Sequence, residues 1–308
     1  MTIYGADGSN GVILVTTKSG SNNKPLAISA RVNFGVATID KSTEFRMMSQ
    51  EQYLAVAKEA WTNAGNSLKT FPYQDNDYNS YSTTDTDWSK EYLGVGTNLY
   101  ADLSLTSGTK KTSNYVTGSY YKTDNTVKSD SQQRFSFRTR NSYDFTKWLR
   151  FNAQLSASYN TNNLFPLYRG FLETLPIFEP YLSDGSFRLY NKVYDEASGG
   201  WVMRKFTKNE VPAREANTNT QRSVMTSANF SVEAKIFDGL KFTSQYAIDY
   251  THSHEDIYYS RTTLSGMDSA GNPKGSSRRA DASYMNWTNV ERLNYDKRFA
   301  DRHNVSAY

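Results

Sequence analysis

Two histidines and two carboxylates stand close together after one β-strand pattern, where they could hold a metal ion. His252 and His254 are two positions apart, so their side chains share one face of an extended chain, and Glu255 and Asp256 follow directly. A zinc site needs further protein ligands at suitable spacing, and the sequence offers none here. We therefore interpret this group as the polar base of a loop, and we predict no metal site and no cofactor.

The residues needed for catalysis are also missing from the sequence. There is no Gly-x-Ser-x-Gly elbow, and the three histidines define no set of nucleophile, base and carboxylate. Carboxylates such as Asp75 and Asp77 lie in turn-like sequence. The chain has no cysteine, which excludes disulfides and thiolate metal sites. We predict that the protein is not an enzyme.

A long polar segment, 161–222, is rich in aromatic residues that could bind a ligand. Aromatic faces stack on sugar rings and pack on peptides, and they dominate the energetics of many interfaces. The alternative is that these rings pack the loop on itself or on a partner protein. The candidate ligand-binding residues are Tyr168, Tyr190, Tyr194 and Trp201.

Arg138 and Arg140 share one face of a predicted strand, opposite Phe135 and Phe137. If the apolar face meets lipid, the two arginines point into the lumen of a barrel. There they could form salt bridges with a domain that fills the barrel, or select anionic substrates. We favour the first role, because large outer-membrane barrels are filled.

The elements that would position these residues are long alternating strands. Period-2 alternation is clearest in four segments, 27–37, 149–160, 223–236 and 240–251. Weaker strand patterns cover 98–107, 114–123, 134–143, 283–295 and 302–308. The clear segments are longer than an ordinary globular strand and match the roughly 9–11 residues that a tilted strand needs to cross a bilayer.

Short joins and long polar joins alternate along these strands. Short joins lie near 108–113, 144–147, 237–239 and 297–300, and longer ones near 38–97, 124–132, 161–222 and 253–282. Since consecutive antiparallel strands end at opposite rims, all short turns fall on one rim and all long loops on the other. This layout predicts an all-β fold, an antiparallel transmembrane β-barrel with long extracellular loops.

Composition agrees with this fold class. Hydrophobic residues make up 37% of the 308 residues, and the mean hydropathy is −0.70. No apolar run reaches the roughly 18 residues of a membrane helix, whereas a barrel strand needs apolar residues on one face only. The net charge of +4 is not clustered, so we predict no nucleic-acid partner.

One helix is well signalled inside the first long loop. Ser49 and Gln52 form a predicted capping box, apolar residues then recur at helical spacing, and Gly65 provides the stop. We expect the apolar stripe of this helix to pack on the barrel rim.

The first 20 residues contain three glycines at a spacing of three: Gly5, Gly8 and Gly11. They precede a β-branched strand pattern, Val12–Thr17, which is the reverse of the strand–loop–helix order of a phosphate loop. The residues therefore predict a turn whose backbone conformation requires glycine, followed by a buried strand.

The run Tyr4-Gly-Ala-x-Gly-x-Asn-Gly-Val-Ile-Leu-Val-Thr-Thr-Lys18 resembles the end of the plug domain in SusC/RagA-type TonB-dependent outer-membrane transporters. Met47-Met-Ser-x-Glu-x-Tyr-Leu54 and Asp87-Trp88 also resemble motifs of that family, and the similarity extends over the chain. The resemblance implies a partial chain. Residues 1–22 would be the C-terminal end of the plug domain, and residues 23–308 would form the N-terminal part of the barrel, about nine of about 22 strands.

The resemblance also implies a function and partners. The intact protein would be an outer-membrane, TonB-dependent importer of oligosaccharides or peptides, capped by a SusD-like surface lipoprotein. Its contact with TonB would lie in a segment upstream of this chain. An outer-membrane barrel that binds surface molecules without transport is the alternative, and the plug motif argues against it.

Overall fold

Nine long antiparallel strands form one continuous sheet. The computed structural model of the chain describes residues 18, 20–40, 47–165, 170–299 and 303–307. The sheet strands, in chain order, are β1 Ala27–Ala37, β2 Gly96–Gly108, β3 Thr112–Asp124, β4 Ser131–Asp144, β5 Leu149–Asn163, β8 Thr218–Phe237, β9 Leu240–Tyr259, β10 Ser276–Phe299 and β11 His303–Ala307. Each strand pairs with the next strand of this series, as in an up-and-down barrel wall.

The remaining elements lie in the loops. They are α1 Gln50–Asn63, α2 Trp88–Tyr92, α3 Gly170–Glu173, the hairpin strands β6 Tyr190–Asp195 and β7 Gly200–Lys205, and α4 Val211–Ala216. Within the described residues, no helix combines the length and the apolar character that crossing a membrane requires.

The predicted alternation of short and long joins is confirmed for the joins that the structure describes. Of the short join predicted near 297–300, residues 297–299 belong to β10, and residue 300 lies outside the described residues. Residues 109–111, 145–148 and 238–239 are short turns at one rim, and residues 38–95, 164–217 and 260–275 are loops at the other. The join between β3 and β4 lies on the loop rim but has only six residues, 125–130, so it is shorter than we expected.

The strands are staggered steadily in one direction. A line of directly paired residues runs across the sheet from Leu105 in β2 to Trp287 in β10. Leu105 lies three residues from the turn end of its strand at Gly108, whereas Trp287 lies twelve residues from the end of its strand at Phe299. A sheet that closes into a barrel of tilted strands needs such a stagger.

The register sorts side chains into an apolar face and a polar face. The apolar face carries Val32, Leu103, Val116, Phe137, Leu155, Ala228, Ile248 and Trp287. The polar face carries Arg31, Asp102, Ser119, Arg138, Ser156, Ser227 and Asp249, and these residues line one hollow. The apolar face therefore has the composition of a lipid-facing surface, and the polar face that of a lumen.

Aromatic side chains mark both margins of the apolar face. Near the turns, Tyr143 and Phe145 have ring centroids 4.6 Å apart. Towards the loops, Tyr120 and Phe135 pair across strands at 4.7 Å. Two aromatic margins around an apolar band are typical of barrels that sit in a bilayer.

Most strands exceed their predicted length, and three of them do so by at least six residues. β8, β9 and β10 span 20, 20 and 24 residues. The predicted loop 253–282 therefore shrinks to 260–275. The strands continue beyond their apolar stretch into polar segments. In these segments apolar and polar residues no longer alternate, but the backbones remain paired.

The predicted helix is confirmed, but its packing differs from our expectation. Ser49 Oγ accepts a hydrogen bond from the backbone N–H of Gln52 at 3.3 Å, and the capping box is complete. The apolar side of α1 does not pack on the barrel rim. Its buried residue Leu54 instead joins a core with Phe71 and Ile177, because the two longest loops fold against each other.

Candidate functional site

The first and third joins on the loop rim pack together into one unit with its own core. We call residues 47–95 and 172–217 the loop body. Its first buried cluster consists of Leu54, Phe71, Tyr81 and Ile177, and its second of Trp88, Tyr92, Phe206 and Val211. Each cluster contains residues from both loops, so neither loop buries its apolar side chains alone.

Polar contacts fix the two loops to each other. Trp88 Nε1 donates to the carbonyl oxygen of Leu175 at 3.0 Å, and the Tyr81 hydroxyl donates to the carbonyl oxygen of Lys192 at 2.9 Å. Both aromatic side chains are completely buried. Because a buried N–H or O–H without a partner is costly, these bonds specify how the loops fit together.

A buried arginine adds to this junction. The side chain of Arg188 is only 6% exposed, and it forms an ion pair with Glu179 at 3.0 Å. The guanidinium also donates to the carbonyl oxygen of Tyr78 at 3.1 Å and lies over the Tyr78 ring. Thr84 donates to the other carboxylate oxygen of Glu179 at 2.7 Å. The two loops of the loop body are therefore joined by buried polar contacts as well as by their shared apolar clusters.

The structure places three of the four predicted ligand-binding aromatics, and Tyr168 lies outside the described residues. Tyr194 and Trp201 face each other across the β6–β7 hairpin, with ring centroids 5.7 Å apart in an edge-to-face arrangement. Trp201 is 37% exposed. Tyr190, on the same hairpin, is half-buried, and its hydroxyl approaches the Met267 sulfur at 3.7 Å. Tyr194 and Trp201 thus form an accessible aromatic surface, while Tyr190 joins the hairpin to the next loop.

Other aromatic residues of the same loop have a packing role. Phe178 contacts Tyr73, Tyr81 and Phe206 at centroid distances of 4.8–6.1 Å. Packing of these rings is the alternative that the sequence predicts, but the partner loop is not evident from the sequence. The sequence feature that could have identified the partner loop is the concentration of Tyr and Trp in residues 71–92, a segment with no strand or helix periodicity.

Arg138 and Arg140 lie on the polar face of β4, on the side predicted for the lumen. Arg138 is opposite Thr117 on β3 and Ser156 on β5, and it lines the hollow of the polar face. Arg140 is half-buried and lies two residues nearer the turns, opposite Tyr115. Around Arg138 the small hydroxyl side chains of Thr117, Ser136 and Ser156 line the hollow, and elsewhere charged residues such as Arg31, Asp102 and Asp249 line it too. Such a surface suits close packing against another protein segment.

The histidine cluster lies on an extended strand, not past its end. His252 and His254 are in β9, beyond the aromatic margin at Tyr250, and they point to the side of the apolar face. His254 Nδ1 lies 2.7 Å from Asp281, and its Nε2 lies 2.9 Å from Asp256. Asp256 also binds Arg279 at 2.8 Å. No group of three or more metal-ligating side chains with suitable geometry occurs among the residues that the structure describes.

The predicted plug motif, Gly5, Gly8 and Gly11, lies outside the described residues, as does the strand predicted for residues 12–17. The boundary between residues 22 and 23 therefore stays a prediction.

One carboxyl oxygen is buried inside the loop body. The Glu210 Oε2 atom is buried and has no hydrogen-bond partner within the described part of the chain, and this burial raises the pKa of Glu210. A carboxyl whose pKa is raised by folding stabilises the folded state below its unfolded pKa of about 4.5. That contribution is lost as the pH rises through the folded pKa.

We therefore expect Glu210→Gln to protect the loop body at pH 8 and to have little effect near pH 4, because glutamine stays neutral. Hydrogen exchange of the amides around Val211, corrected for the intrinsic rate at each pH, measures this. Glu59→Gln, on the exposed side of α1, is the matched control and should leave the protection unchanged. Equal protection of wild type and Glu210→Gln at pH 8 would contradict the prediction.

The chain is similar over its whole length to proteins named TonB-dependent receptors. It is 24% identical to TonB-dependent receptor P26 of Formosa agariphila over 311 residues, which cover all of this chain and 29% of that protein. It is 27% identical to TonB-dependent receptor SusC of Bacteroides thetaiotaomicron over 134 residues, 44% of this chain and 12% of SusC. No protein-family model matches the chain.

Solved structures have the same fold. The RagAB peptide importer in its closed-closed state matches with a TM-score of 0.78 at 18% identity, and the match covers 99% of this chain and 36% of that chain. The open-open state of RagAB matches with a TM-score of 0.73. The chain thus spans about a third of the length of TonB-dependent receptor P26 and of the matched RagAB chain. The resemblance to SusC/RagA-type proteins and the barrel-type fold are confirmed, and these relatives are named as receptors and importers, not as enzymes.

Proposed function

We propose that this chain, which is similar over its whole length to SusC/RagA-type TonB-dependent receptors, forms part of the wall of an outer-membrane nutrient importer. The observation that carries the proposal is the staggered nine-stranded sheet. It has an apolar face, a polar face, short turns at one rim and folded loops at the other. A wall of this construction separates lipid from a polar passage. The whole-chain match to a peptide importer supports import as the role of that passage.

In this proposal the loop body faces the cell exterior and contributes to the binding of substrate. Its substrate is an oligosaccharide or a peptide, since both classes present surfaces on which aromatic rings can pack. Tyr194 and Trp201 are the accessible candidates for that contact, and Tyr190 and Tyr168 are weaker ones. A SusD-like lipoprotein would cover the same rim and close over bound substrate.

The polar face would contact a plug domain inside the barrel. Arg138 and Arg140 would meet that domain, residues 1–22 would be its last part, and TonB would supply energy through a segment upstream. The small hydroxyl side chains around Arg138 support this role, because they allow another protein surface to approach closely.

Uptake in the native host tests the proposal. Strains that lack the complete gene carrying this chain, or lack TonB, are supplied with labelled oligosaccharide and oligopeptide mixtures. We expect at least one labelled class to enter wild-type cells, and its uptake to be lost in both deletion strains. Uptake that survives without TonB would refute energised import. Surface binding that depends on the gene, without any uptake, would indicate the adhesive alternative.

A further inference from the structure

The segment that leads into β1 is fastened to the end of the β2–β3 hairpin. The backbone N–H of Lys24 donates to the carbonyl oxygen of Gly108 at 3.0 Å, and the N–H of Gly108 donates back to Lys24 at 2.8 Å. The N–H of Asn23 donates to the carbonyl oxygen of Thr109 at 3.0 Å. Asn23 has a φ of +55°, a left-handed conformation that asparagine tolerates, so the chain turns sharply just before it enters the wall.

Two glycines make this contact possible. A Cβ on Gly108 would lie 2.1 Å from the carbonyl oxygen of Ser21, and a Cβ on Gly20 would lie 2.6 Å from the backbone of Asn114. Side-chain carbons essentially never approach other atoms within 3.0 Å. Both obstructing groups are backbone atoms of the connecting segment or of the wall. A side chain at either position would therefore push the two backbones apart.

Crowding is not shared by every glycine of the sheet, although a Cβ on Gly96 would also lie 2.8 Å from the carbonyl oxygen of Asp124. Gly118, in the middle of β3, has no atom within 4 Å of the position that its Cβ would occupy. Gly20 and Gly108 differ from it because a second backbone segment lies directly against each of them. The two close approaches, Gly20 against Asn114 and Gly108 against Ser21, both lie before the turn at Asn23, and the hydrogen bonds between Lys24 and Gly108 follow it.

We propose that Gly20 and Gly108 are positioning residues that lock residues 20–24 to the barrel wall. They form a fixed anchor at which movement of the preceding chain ends. The five-residue segment stays with the β2–β3 hairpin, and any displacement of the chain before it pivots at Gly20. If the proposed function holds, force applied to the plug is stopped at this anchor and does not peel β1 from the sheet. The anchor itself does not depend on transport.

Hydrogen exchange on the complete protein that carries this chain, purified in detergent, tests the anchor. In wild type we expect the amides of Asn23, Lys24 and Gly108 to be protected. Gly108→Ala and Gly20→Ala should each accelerate their exchange by about tenfold or more, since local opening becomes easier. Gly118→Ala is the matched control and should leave these amides unchanged. Heat-modifiable migration on gels confirms that each variant has assembled.

Three outcomes would overturn the proposal. The first is exchange of these amides in wild type at the rate of an unstructured peptide. The second is wild-type protection in both Gly20→Ala and Gly108→Ala. The third is failure of both variants to assemble while Gly118→Ala assembles, which would mean that the glycines serve the wall and not the connecting segment. Because none of these readouts involves substrate or TonB, failure of the anchor is distinguishable from failure of the proposed transport.

Discussion

Leu155→Arg is expected to destabilise the barrel wall by about 2–4 kcal/mol in a bilayer, while Ser156→Arg costs only about 0.2–1 kcal/mol, because it places a second positive charge opposite Arg138. Leu155 lies in the middle of β5 on the apolar face, directly opposite Ala228 on β8. An arginine there would have to enter hydrocarbon or distort the sheet to reach water. Ser156 is the next residue and lies on the polar face, opposite Arg138.

The two variants differ in the face of the sheet on which the arginine lies, because the two sites are adjacent in β5 and receive the same side chain. The measurement is the urea midpoint for loss of the heat-modifiable form of the complete protein in lipid vesicles. If both variants, or Ser156→Arg alone, lowered the midpoint by the amount expected for Leu155→Arg, the assignment of the apolar face to lipid would be wrong.

Trp88→Ala is expected to cost the loop body about 3–5 kcal/mol, the range for removing a large buried aromatic side chain. Trp88 is fully buried, stacks on Tyr92 and meets the ring of Phe206 edge-to-face. Its loss would leave a cavity at the junction of the two loops and would also leave the Leu175 carbonyl oxygen without its indole donor. The sheet does not contain this residue, so the wall should remain assembled.

Limited proteolysis of both loops measures this effect, with heat-modifiable migration as the readout for the wall. Trp88→Phe should have an intermediate effect, because it keeps most of the apolar volume and loses the hydrogen bond. Trp148→Ala is the control, since Trp148 is 54% exposed in the turn between β4 and β5 and lies far from the loop body in the topology. Unchanged protease resistance in Trp88→Ala would show that the loops fold independently of each other.

The parts of the fold that follow from local chemistry could be predicted from sequence. Alternation in 149–160 identifies both faces of β5, and the capping box at Ser49 and Gln52 marks the start of α1. Both signals depend on residues within a few positions of each other. The candidate site was predicted less completely: Tyr194 and Trp201 lie on an exposed hairpin, whereas Phe178, from the same aromatic-rich loop, is part of a core.

The predicted packing of α1 and the predicted end of β9 were wrong because both depend on contacts between residues that are distant in sequence. The helix α1 was expected on the barrel rim, and the strand β9 was expected to end before His254. A polar extension of β9 forms because β8 and β10 supply backbone partners on both sides, which hydropathy does not reveal. The apolar face of α1 packs against the loop 164–217 because that loop contributes Ile177 and Phe178 to the shared core.

The sequence by itself determined the strand rhythm, the two faces of the wall, the capped helix and the resemblance to a transporter family. All of these are encoded at short range or in a contiguous motif. Only the tertiary structure decided that the two longest loops share a core and that residues 20–24 lie against the β2–β3 hairpin. Trp88 and Leu175 are 87 positions apart, and Lys24 and Gly108 are also distant in sequence. The loop contacts form because paired strands bring separate loops to the same rim, where their apolar side chains can leave water together. The contact of Lys24 with Gly108 forms at the opposite rim through backbone hydrogen bonds.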